Sequence, residues 1–456
     1  MSKHELTEIR IPIEKDNPSI VRDENKCVAC GLCRYVCEND ITVGALYNLE
    51  YTGDNAICIN CGQCGVSCPT DSITEKFDYK KVASEIASGD KIVIFTTAPA
   101  VRISLGEEFG LPAGEFVEGK MISALRALGG KYVLDANFGA DMTIMEEASE
   151  LALRLKNKSE HAFPMFTSCC PSWVKYVETF FPQLMTNLSS TRSPILMMGA
   201  TIKTYFAKKM NLDASKIINV AIAPCTAKKF EITRPEMNAS GKYLGNENIR
   251  DVDYVLTTRE LAKWIKDEKI FWTDLPDGKF DNFMGQSSGG GVIFGSTGGV
   301  MESAVRTAYF LITGNNLPDN KIDFTAVRGM ENIKQAVIEI GTEKIKIAVA
   351  NGMIHARNLI EKILSGEEVF DFVEVMNCRG GCIAGGGQPK TTNVVATIDA
   401  RISGLYNRDK NLPVRCAHDN PEIKNMYAEF FGAPLSDIAH KLLHTTFTNR
   451  SGDLKK

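Results

Sequence analysis

The 456-residue chain lacks the features that mark several classes of protein. It has no run of 18 or more apolar residues, so no helix is expected to span a membrane. It has no excess of basic residues, since the net charge is −4, and this argues against binding to nucleic acid. Residues 1–20 are rich in charge and contain neither the apolar core nor the cleavage site of a secretory signal. We therefore expect a cytoplasmic protein that binds neither a membrane nor a nucleic acid.

Cysteine, at 14 residues, is too dilute for a small secreted domain held by disulfides. Eight of the 14 cysteines lie within the first 68 residues, which indicates metal ligands rather than disulfide bonds. Residues 1–85 also carry a net charge of −5, so the acidity of the chain belongs to this segment. We therefore predict a separate domain over residues 1–85, with its boundary between residues 84 and 89.

The remainder, residues 86–456, has a different pattern. Short apolar runs rich in β-branched residues occur at residues 91–95, 131–134, 217–222, 252–256, 346–350 and 372–376. Most are flanked by helical patterns, such as those over residues 146–156, 259–266 and 331–340. This alternation predicts an α/β domain of mainly parallel β-sheets flanked by helices.

The N-terminal segment contains two copies of one cysteine motif. The first copy is Cys27, Cys30, Cys33 and Cys37, and the second is Cys58, Cys61, Cys64 and Cys68, followed by proline. In such a motif three thiolates bind one [4Fe-4S] cubane and the fourth binds the other cubane. We therefore predict a bacterial-type 2[4Fe-4S] ferredoxin-like domain. One cluster is assigned to Cys27, Cys30, Cys33 and Cys68, and the other to Cys58, Cys61, Cys64 and Cys37. Structural zinc sites, the alternative, favour pairs of Cys-x2-Cys.

Five of the other six cysteines follow short apolar runs; they are Cys169, Cys170, Cys225, Cys378 and Cys382. The carboxyl ends of strands in an open α/β sheet gather ligands at one edge, and four thiolates suffice for one more cubane. The alternative is that these cysteines are small buried side chains, and we keep that interpretation for Cys416.

Three segments resemble the signature segments of the [FeFe]-hydrogenases: residues 167–173 (TSCCPSW), 223–231 (APCTAKKFE) and 374–389 (EVMNCRGGCIAGGGQP). The resemblance extends over nearly all of residues 90–450. It implies an enzyme that interconverts protons, electrons and H2, in the form of a monomer with two accessory cubanes. It also implies ferredoxin or flavodoxin as electron carrier, maturation proteins for a diiron subsite, and a small-subunit-like tail over about residues 400–456.

The resemblance further implies an H-cluster, a [4Fe-4S] cubane bridged to a diiron subsite that carries CO, cyanide and an azadithiolate. On the matching positions its cubane ligands are Cys170, Cys225, Cys378 and Cys382, with Cys382 as the bridge. Cys169 then stays free as the first proton carrier. The resemblance places Lys228, as a hydrogen-bond donor to cyanide, together with Met376, Pro99 and Phe294 around the diiron subsite.

Glu147, Glu150 and Arg154 follow one another at helical spacing, and Thr143 with Glu146 forms a predicted capping box at the start of the helix. The spacing alone favours a solvated face with an ion pair between Glu150 and Arg154. The resemblance instead implies a proton path from the surface through Arg154, Glu150, Ser189 and Glu147 to Cys169.

Three positions depart from the family pattern: Ala100 stands where serine is common, Ala223 where methionine is common, and Ile195 where glutamine is common. Groups around a cluster tune its potential, so these changes bear on the preferred direction of the reaction. Two other functions stay open. A hydrogen sensor tends to lose the cysteine found here at 169. An iron–sulfur assembly homologue lacks the diiron subsite. The retained Lys228 and segment 374–389 argue against this function.

Overall fold

The computed structural model describes residues 9–318, 321–341 and 343–455. The charged residues Lys3, Glu5 and Glu8, on which the expectation of no secretory signal partly rests, lie outside this range. Within the described residues, no helix has the length and apolar character needed to cross a membrane.

The strands are β1 (Ile20–Arg22), β2 (Ile73–Glu75), β3 (Ile92–Thr97), β4 (Tyr132–Asp135), β5 (Met165–Phe166), β6 (Ile217–Ala223), β7 (Tyr254–Thr257), β8 (Ile333–Ile340), β9 (Glu343–Asn351) and β10 (Phe372–Met376). The α-helices are α1 (Leu32–Tyr35), α2 (Gln63–Val66), α3 (Tyr79–Ser88), α4 (Glu118–Ala127), α5 (Ala136–Lys156), α6 (Pro171–Phe180), α7 (Pro194–Thr201), α8 (Ala207–Lys209), α9 (Ala227–Glu231), α10 (Ala239–Leu244), α11 (Thr258–Asp267), α12 (Gly289–Ile293), α13 (Gly299–Thr313), α14 (Met353–Leu364), α15 (Val394–Asn411), α16 (Pro421–Met426) and α17 (Asp437–Leu443).

Two four-stranded sheets lie in the part of the chain that follows the N-terminal segment. The first has the order β4-β3-β6-β7, and every neighbouring pair in it is parallel. All seven residues of β6 are buried, as expected for a strand covered on both faces of a parallel sheet. The predicted runs at residues 91–95, 131–134, 217–222 and 252–256 overlap its four strands. The α/β prediction is confirmed.

The second sheet has the order β5-β10-β9-β8, in which β8 is antiparallel to β9 and the other pairs are parallel. The predicted helical pattern over residues 331–340 is wrong, because this segment forms β8. Its register with β9 runs from Ile333 opposite Ala350 to Ile340 opposite Glu343. Exposed and buried side chains alternate along the strand, with Val337 62% exposed and Ile340 1% exposed. This two-residue period is that of a β-strand with one face in the core.

The N-terminal segment is closed by an antiparallel pairing of β1 with β2. Glu75, at the end of β2, accepts hydrogen bonds from Thr257 and Arg259, so this segment is fixed against the start of α11. Tyr79 of α3 packs in the same core as Phe95 of β3. The helix ends at Ser88, and Gly89 is its C-cap residue. The domain boundary between residues 84 and 89 stays a prediction.

The loops that follow several parallel strands meet at one place. Pro99 follows β3, Cys169 follows β5, Cys225 follows β6 and Cys382 follows β10, and all four line a single cavity. This is the position at which open parallel sheets gather their ligands. The fold therefore brings together residues that are more than 280 positions apart in the chain.

Candidate active site

Two cavities in the N-terminal segment are lined by the motif cysteines. The outer cysteine cavity is lined by Cys27, Cys30, Cys33 and Cys68, and the inner cysteine cavity is lined by Cys37, Cys58, Cys61 and Cys64. The fourth cysteine of each motif thus lies with the first three of the other, in the grouping that the spacing predicts. Cys30 is exposed, whereas Cys61 and Cys64 are buried, so the inner cavity lies deeper.

The thiols of the inner cavity are in an environment that suits metal ligands. Burial, followed by the neighbouring Cys64, raises the pKa of Cys61 well above its usual value. Burial and Cys58 raise the pKa of Cys37 to about 12. Bound metal holds buried thiols of this kind as thiolates. The backbone N–H of Asn60 also donates to the Cys58 sulfur, at 3.3 Å.

A third cavity, here the central cavity, lies at the carboxyl ends of the strands. The predicted site residues that line it are Pro99, Cys169, Cys225, Lys228, Phe294 and Cys382. Ala100, Ile195 and Ala223, the three positions that depart from the family pattern, line it too. Lys228 is the one charged residue in the lining that the described residues provide. The cavity is therefore an apolar chamber with thiols and one cation in its wall.

Cys170 and Cys378 adjoin this chamber. Burial, followed by Cys378 and Cys170, raises the pKa of Cys225 to about 12, and burial with Cys170 raises that of Cys378 to about 12. Burial, followed by Cys225 and Cys170, also raises the pKa of Cys382. Because each thiolate would destabilise the others, the four cysteines form one electrostatic cluster. The fit to an iron–sulfur group is good, since such a group binds four thiolates and neutralises their charge.

Lys228 is buried and oriented by two acceptors. Its ammonium donates to the Cys169 carbonyl at 3.1 Å and to Glu231 at 2.9 Å. An ammonium has three donors, so one proton is left for an acceptor in the central cavity. Glu231, three residues further along α9, was not predicted from the sequence, although its spacing from Lys228 is that of a helical ion pair.

Met376 and Phe294 are buried in one apolar cluster that also contacts Cys169. Cys416, for which no metal role was predicted, is 7% exposed and lies apart from the cysteine-lined cavities.

The residues of the predicted proton path are buried rather than solvated. Arg154 donates to Glu150 at 2.6 Å, and the Ser189 hydroxyl donates to the other Glu150 oxygen at 3.0 Å. Glu150 is 8% exposed and Arg154 7% exposed, while Glu147 and Ser189 are fully enclosed. The solvated face that spacing alone favours is thus not what the fold produces.

Glu147 lies between this chain of contacts and Cys169. Neither of its carboxyl oxygens has a hydrogen-bond partner of normal geometry among the described residues. Burial and the nearby Glu150 raise the pKa of Glu147 to about 8, although Ser189 favours its charged form. Burial, followed by Glu147, raises the pKa of Cys169 well above its usual value. Both groups are therefore able to hold a proton at neutral pH.

The predicted capping box of Thr143 and Glu146 is wrong. Helix α5 begins at Ala136, and Asp135 caps it by accepting from the Asn137 backbone N–H. Thr143 lies inside the helix, where its hydroxyl donates to the Gly139 carbonyl one turn earlier. The Asp135 cap lies eight residues before the predicted one, because β4 leads directly into the helix.

A further contact joins the inner cysteine cavity to the central cluster. Gln63, between Cys61 and Cys64, donates to the Cys378 sulfur at 3.1 Å and to the Ala384 carbonyl at 2.9 Å. Gln63 was not predicted as a site residue from the sequence. A signal was available in the repeat itself, since the first motif has Leu32 at the matching position.

Two protein families match most of the chain. The family described as iron only hydrogenase large subunit, C-terminal domain, matches residues 91–386, and the iron hydrogenase small subunit family matches residues 395–450. The chain belongs to the iron-only, or [FeFe], hydrogenases. The predicted family is confirmed, and this hydrogenase is accordingly an oxidoreductase that acts on H2.

This hydrogenase is 43% identical to the NADP-reducing hydrogenase subunit HndD of Solidesulfovibrio fructosivorans, over 95% of this chain and 75% of that one. It is similar to the structure of apo [FeFe]-hydrogenase HydA1 from Chlamydomonas reinhardtii, with 38% identity and a TM-score of 0.72. That match covers 82% of this chain and 99% of the other. The cytosolic iron–sulfur assembly component 3 of Bos taurus is 28% identical, over 86% of this chain and 82% of that one, and is thus more distant.

Proposed function

We propose that this hydrogenase catalyses 2H⁺ + 2e⁻ ⇌ H2 at an H-cluster held by Cys170, Cys225, Cys378 and Cys382. We also propose that two accessory [4Fe-4S] clusters, in the outer and inner cysteine cavities, relay electrons to or from ferredoxin or flavodoxin. The observation that carries the proposal is the order in space of three groups of cysteines, which leads from the exposed Cys30 to the buried central cavity. Gln63 contacts both the second group and the third.

When bound, the H-cluster would supply the redox chemistry by which H2 is formed or split. The thiolates of Cys170, Cys225, Cys378 and Cys382 would hold it. Lys228 would offer its third ammonium proton to an anionic ligand of that group, such as cyanide. Pro99, Phe294 and Met376 surround the subsite with apolar surface, which excludes water and strengthens that hydrogen bond.

Protons are proposed to travel through side chains of this chain only. Arg154 and Glu150 stand at the outer end, and the Ser189 hydroxyl, which both donates and accepts, follows them. Glu147 receives the proton and holds it because its pKa is raised to about 8. The Cys169 thiol, in the wall of the central cavity, exchanges the proton with the reacting centre. For H2 oxidation the same groups act in the reverse order.

We further propose that residues 1–85 form the accessory domain and residues 86–456 the catalytic domain, with a small-subunit-like tail from about residue 400. The match of the small subunit family to residues 395–450 supports the tail. The expectations of a monomer, a cytoplasmic location and maturation proteins that supply the diiron subsite stay predictions.

The deciding experiment uses full-length protein produced with the maturation proteins under anaerobic conditions. We expect infrared bands of Fe–CO and Fe–CN, paramagnetic resonance signals of two accessory clusters after reduction, and H2 evolution at a hydrogen electrode driven by reduced ferredoxin. Absence of the infrared bands favours the assembly homologue. Their presence with no turnover favours the hydrogen sensor.

A further inference from the structure

We propose that Gln63 is a positioning residue that links the inner accessory cluster to the H-cluster cubane, by donating a hydrogen bond to the sulfur of Cys378. The inference rests on the proposed function, since it takes the inner cysteine cavity to hold a cluster. Gln63 belongs to the loop of that cavity and touches a ligand of the neighbouring centre at 3.1 Å between Nε2 and Sγ. It is therefore a side chain placed directly between the two proposed clusters.

The orientation of the Gln63 amide is determined by its second contact. The same nitrogen donates to the Ala384 carbonyl at 2.9 Å, so both amide protons have acceptors. If the amide were turned by 180°, its oxygen would face a carbonyl oxygen and a thiolate, and both contacts would be repulsive. The arrangement thus requires an N–H group directed at the sulfur, and it selects an amide over a carboxylate at this position.

The loop that carries Gln63 is fixed against the catalytic domain. Thr226, next to the cluster ligand Cys225, donates to the Asn60 carbonyl at 2.7 Å. A Cβ atom added at Gly62 would lie 2.4 Å from the Thr226 hydroxyl oxygen, and one added at Gly386 would lie 2.3 Å from the Cys61 carbonyl oxygen. The two backbones therefore meet without room for a side chain, which holds Gln63 at a constant distance from Cys378.

The outer motif provides an internal comparison. Both motifs place a left-handed glycine, Gly31 or Gly62, before the residue in question, so the two loops have the same local conformation. The outer loop has Leu32 there, and it is 43% exposed. A cubane-binding loop thus does not itself require an amide at this position. The amide of Gln63 is instead explained by its hydrogen bond to Cys378, which lies outside the loop.

A hydrogen bond to a ligand sulfur stabilises negative charge on the cluster, and so favours its reduced form. We therefore expect Gln63 to raise the reduction potential of the cubane bound by Cys378. Its N–H···S contact also supplies a short connection for the electron between the two centres.

The test compares three variants of the maturated, full-length enzyme by redox titration monitored by paramagnetic resonance and infrared spectroscopy. Gln63→Met has similar length and no N–H donor, and Gln63→Leu copies the outer loop. Leu32→Gln is the matched control, because it places an amide at the equivalent exposed position. We expect a downward shift of the H-cluster cubane potential in both Gln63 variants and no shift of it in Leu32→Gln. Electron transfer from the accessory clusters after flash reduction is expected to slow in the Gln63 variants alone.

An unchanged H-cluster potential in Gln63→Met overturns the proposal, as does an equal shift in Leu32→Gln. If Gln63→Leu fails to retain its inner cluster, the potential measured in Gln63→Met decides. Failure of the proposed function gives a different result, since the wild-type enzyme then lacks the accessory-cluster signals altogether.

Discussion

On the proposed electron side of the central cavity, the cysteines come from segments far apart in the chain, whereas on the proposed proton side most groups come from one helix. Cys225 and Cys378 follow different strands, and Gln63 reaches Cys378 across 315 positions. Glu147 and Glu150 both belong to α5. The proposed electron transfer therefore depends on how the N-terminal segment contacts the rest of the chain. The proposed proton transfer depends on the chemistry of single side chains along one buried helix.

The two sides also treat buried charge differently. On the proposed electron side, burial raises the pKa of thiols in the inner and central cavities, such as Cys61 and Cys378, and bound metal would offset this cost. On the proton side Glu147 has no partner that neutralises it, and its raised pKa leaves it protonated near neutral pH. Substitutions should accordingly interrupt proton transfer without displacing a cluster, and this separation can be tested.

The largest effect is expected from Cys169→Ala. The variant removes the last proton-exchanging group but no proposed metal ligand, and loss of such a group typically costs about 10²–10⁴-fold in rate. H2 evolution and oxidation should both fall by that order, while the Fe–CO and Fe–CN infrared bands stay. Normal turnover with the H-cluster loaded would contradict the proton path.

Glu147→Gln is expected to lower turnover by about 10²-fold, because the amide keeps the shape of the side chain but cannot relay a proton. Wild-type enzyme should show an infrared C=O band of a protonated carboxyl that disappears as the pH rises through about 8, and the variant should lack it. Glu146→Gln is the matched control, since Glu146 is a neighbouring buried carboxyl that bonds Tyr427 and His444 instead.

The same carboxyl makes a prediction for stability. The pKa of Glu147 is about 8 in the folded protein against an ordinary value of 4.5. Its contribution to stability is therefore complete below about pH 4.5 and is lost as the pH rises to about 8. The melting temperature of the wild type, measured relative to that of Glu147→Gln, should therefore fall as the pH rises from about 4.5 to about 8. A constant difference between pH 5 and pH 8 would contradict the raised pKa.

Much of the electron side could be predicted from the sequence, because motif spacing is a local property. The crossing of Cys37 and Cys68 between the two cavities follows from the spacing and matches the lining of both. The apolar run at residues 372–376 coincides with β10. By contrast, the proposed role of Gln63 depends on its contact with Cys378. The repeat shows that this position differs between the two motifs, but it does not indicate which residue Gln63 contacts.

The proton side was less predictable, because burial is decided by what covers a helix. The spacing of Glu150 and Arg154 is that of an exposed pair, but the segment after α6 covers them, and Arg154 donates to the Leu188 carbonyl. The helical prediction for residues 331–340 failed for a similar reason. Pairing with β9 satisfies the backbone of that segment and overrides its local preference.

A smaller effect, confined to the electron side, is expected from Cys64→Ala. The variant removes one ligand of the inner cluster and leaves the central cavity unaltered. The paramagnetic signal of the inner cluster should be lost, and ferredoxin-driven turnover should fall much more than turnover with a small viologen dye. Leu32→Ala, in the outer loop, removes no ligand and serves as control. Ferredoxin-driven turnover equal to that of the wild type would contradict the relay.

The smallest effect is expected from Ala100→Ser, which restores the hydroxyl common in the family to the wall of the central cavity. Ala100 is fully buried, so the new hydroxyl needs a partner, and an unsatisfied one costs about 1–3 kcal/mol. In enzyme with the diiron subsite the hydroxyl can donate to a cyanide ligand. The melting temperature should therefore fall in protein without the subsite and fall less in the loaded enzyme, where a Fe–CN band should also shift. Ala221→Ser, equally buried in β6 but outside the cavity lining, should cost the same in both forms. An equal loss for Ala100→Ser in both forms would show that this position does not face the bound subsite.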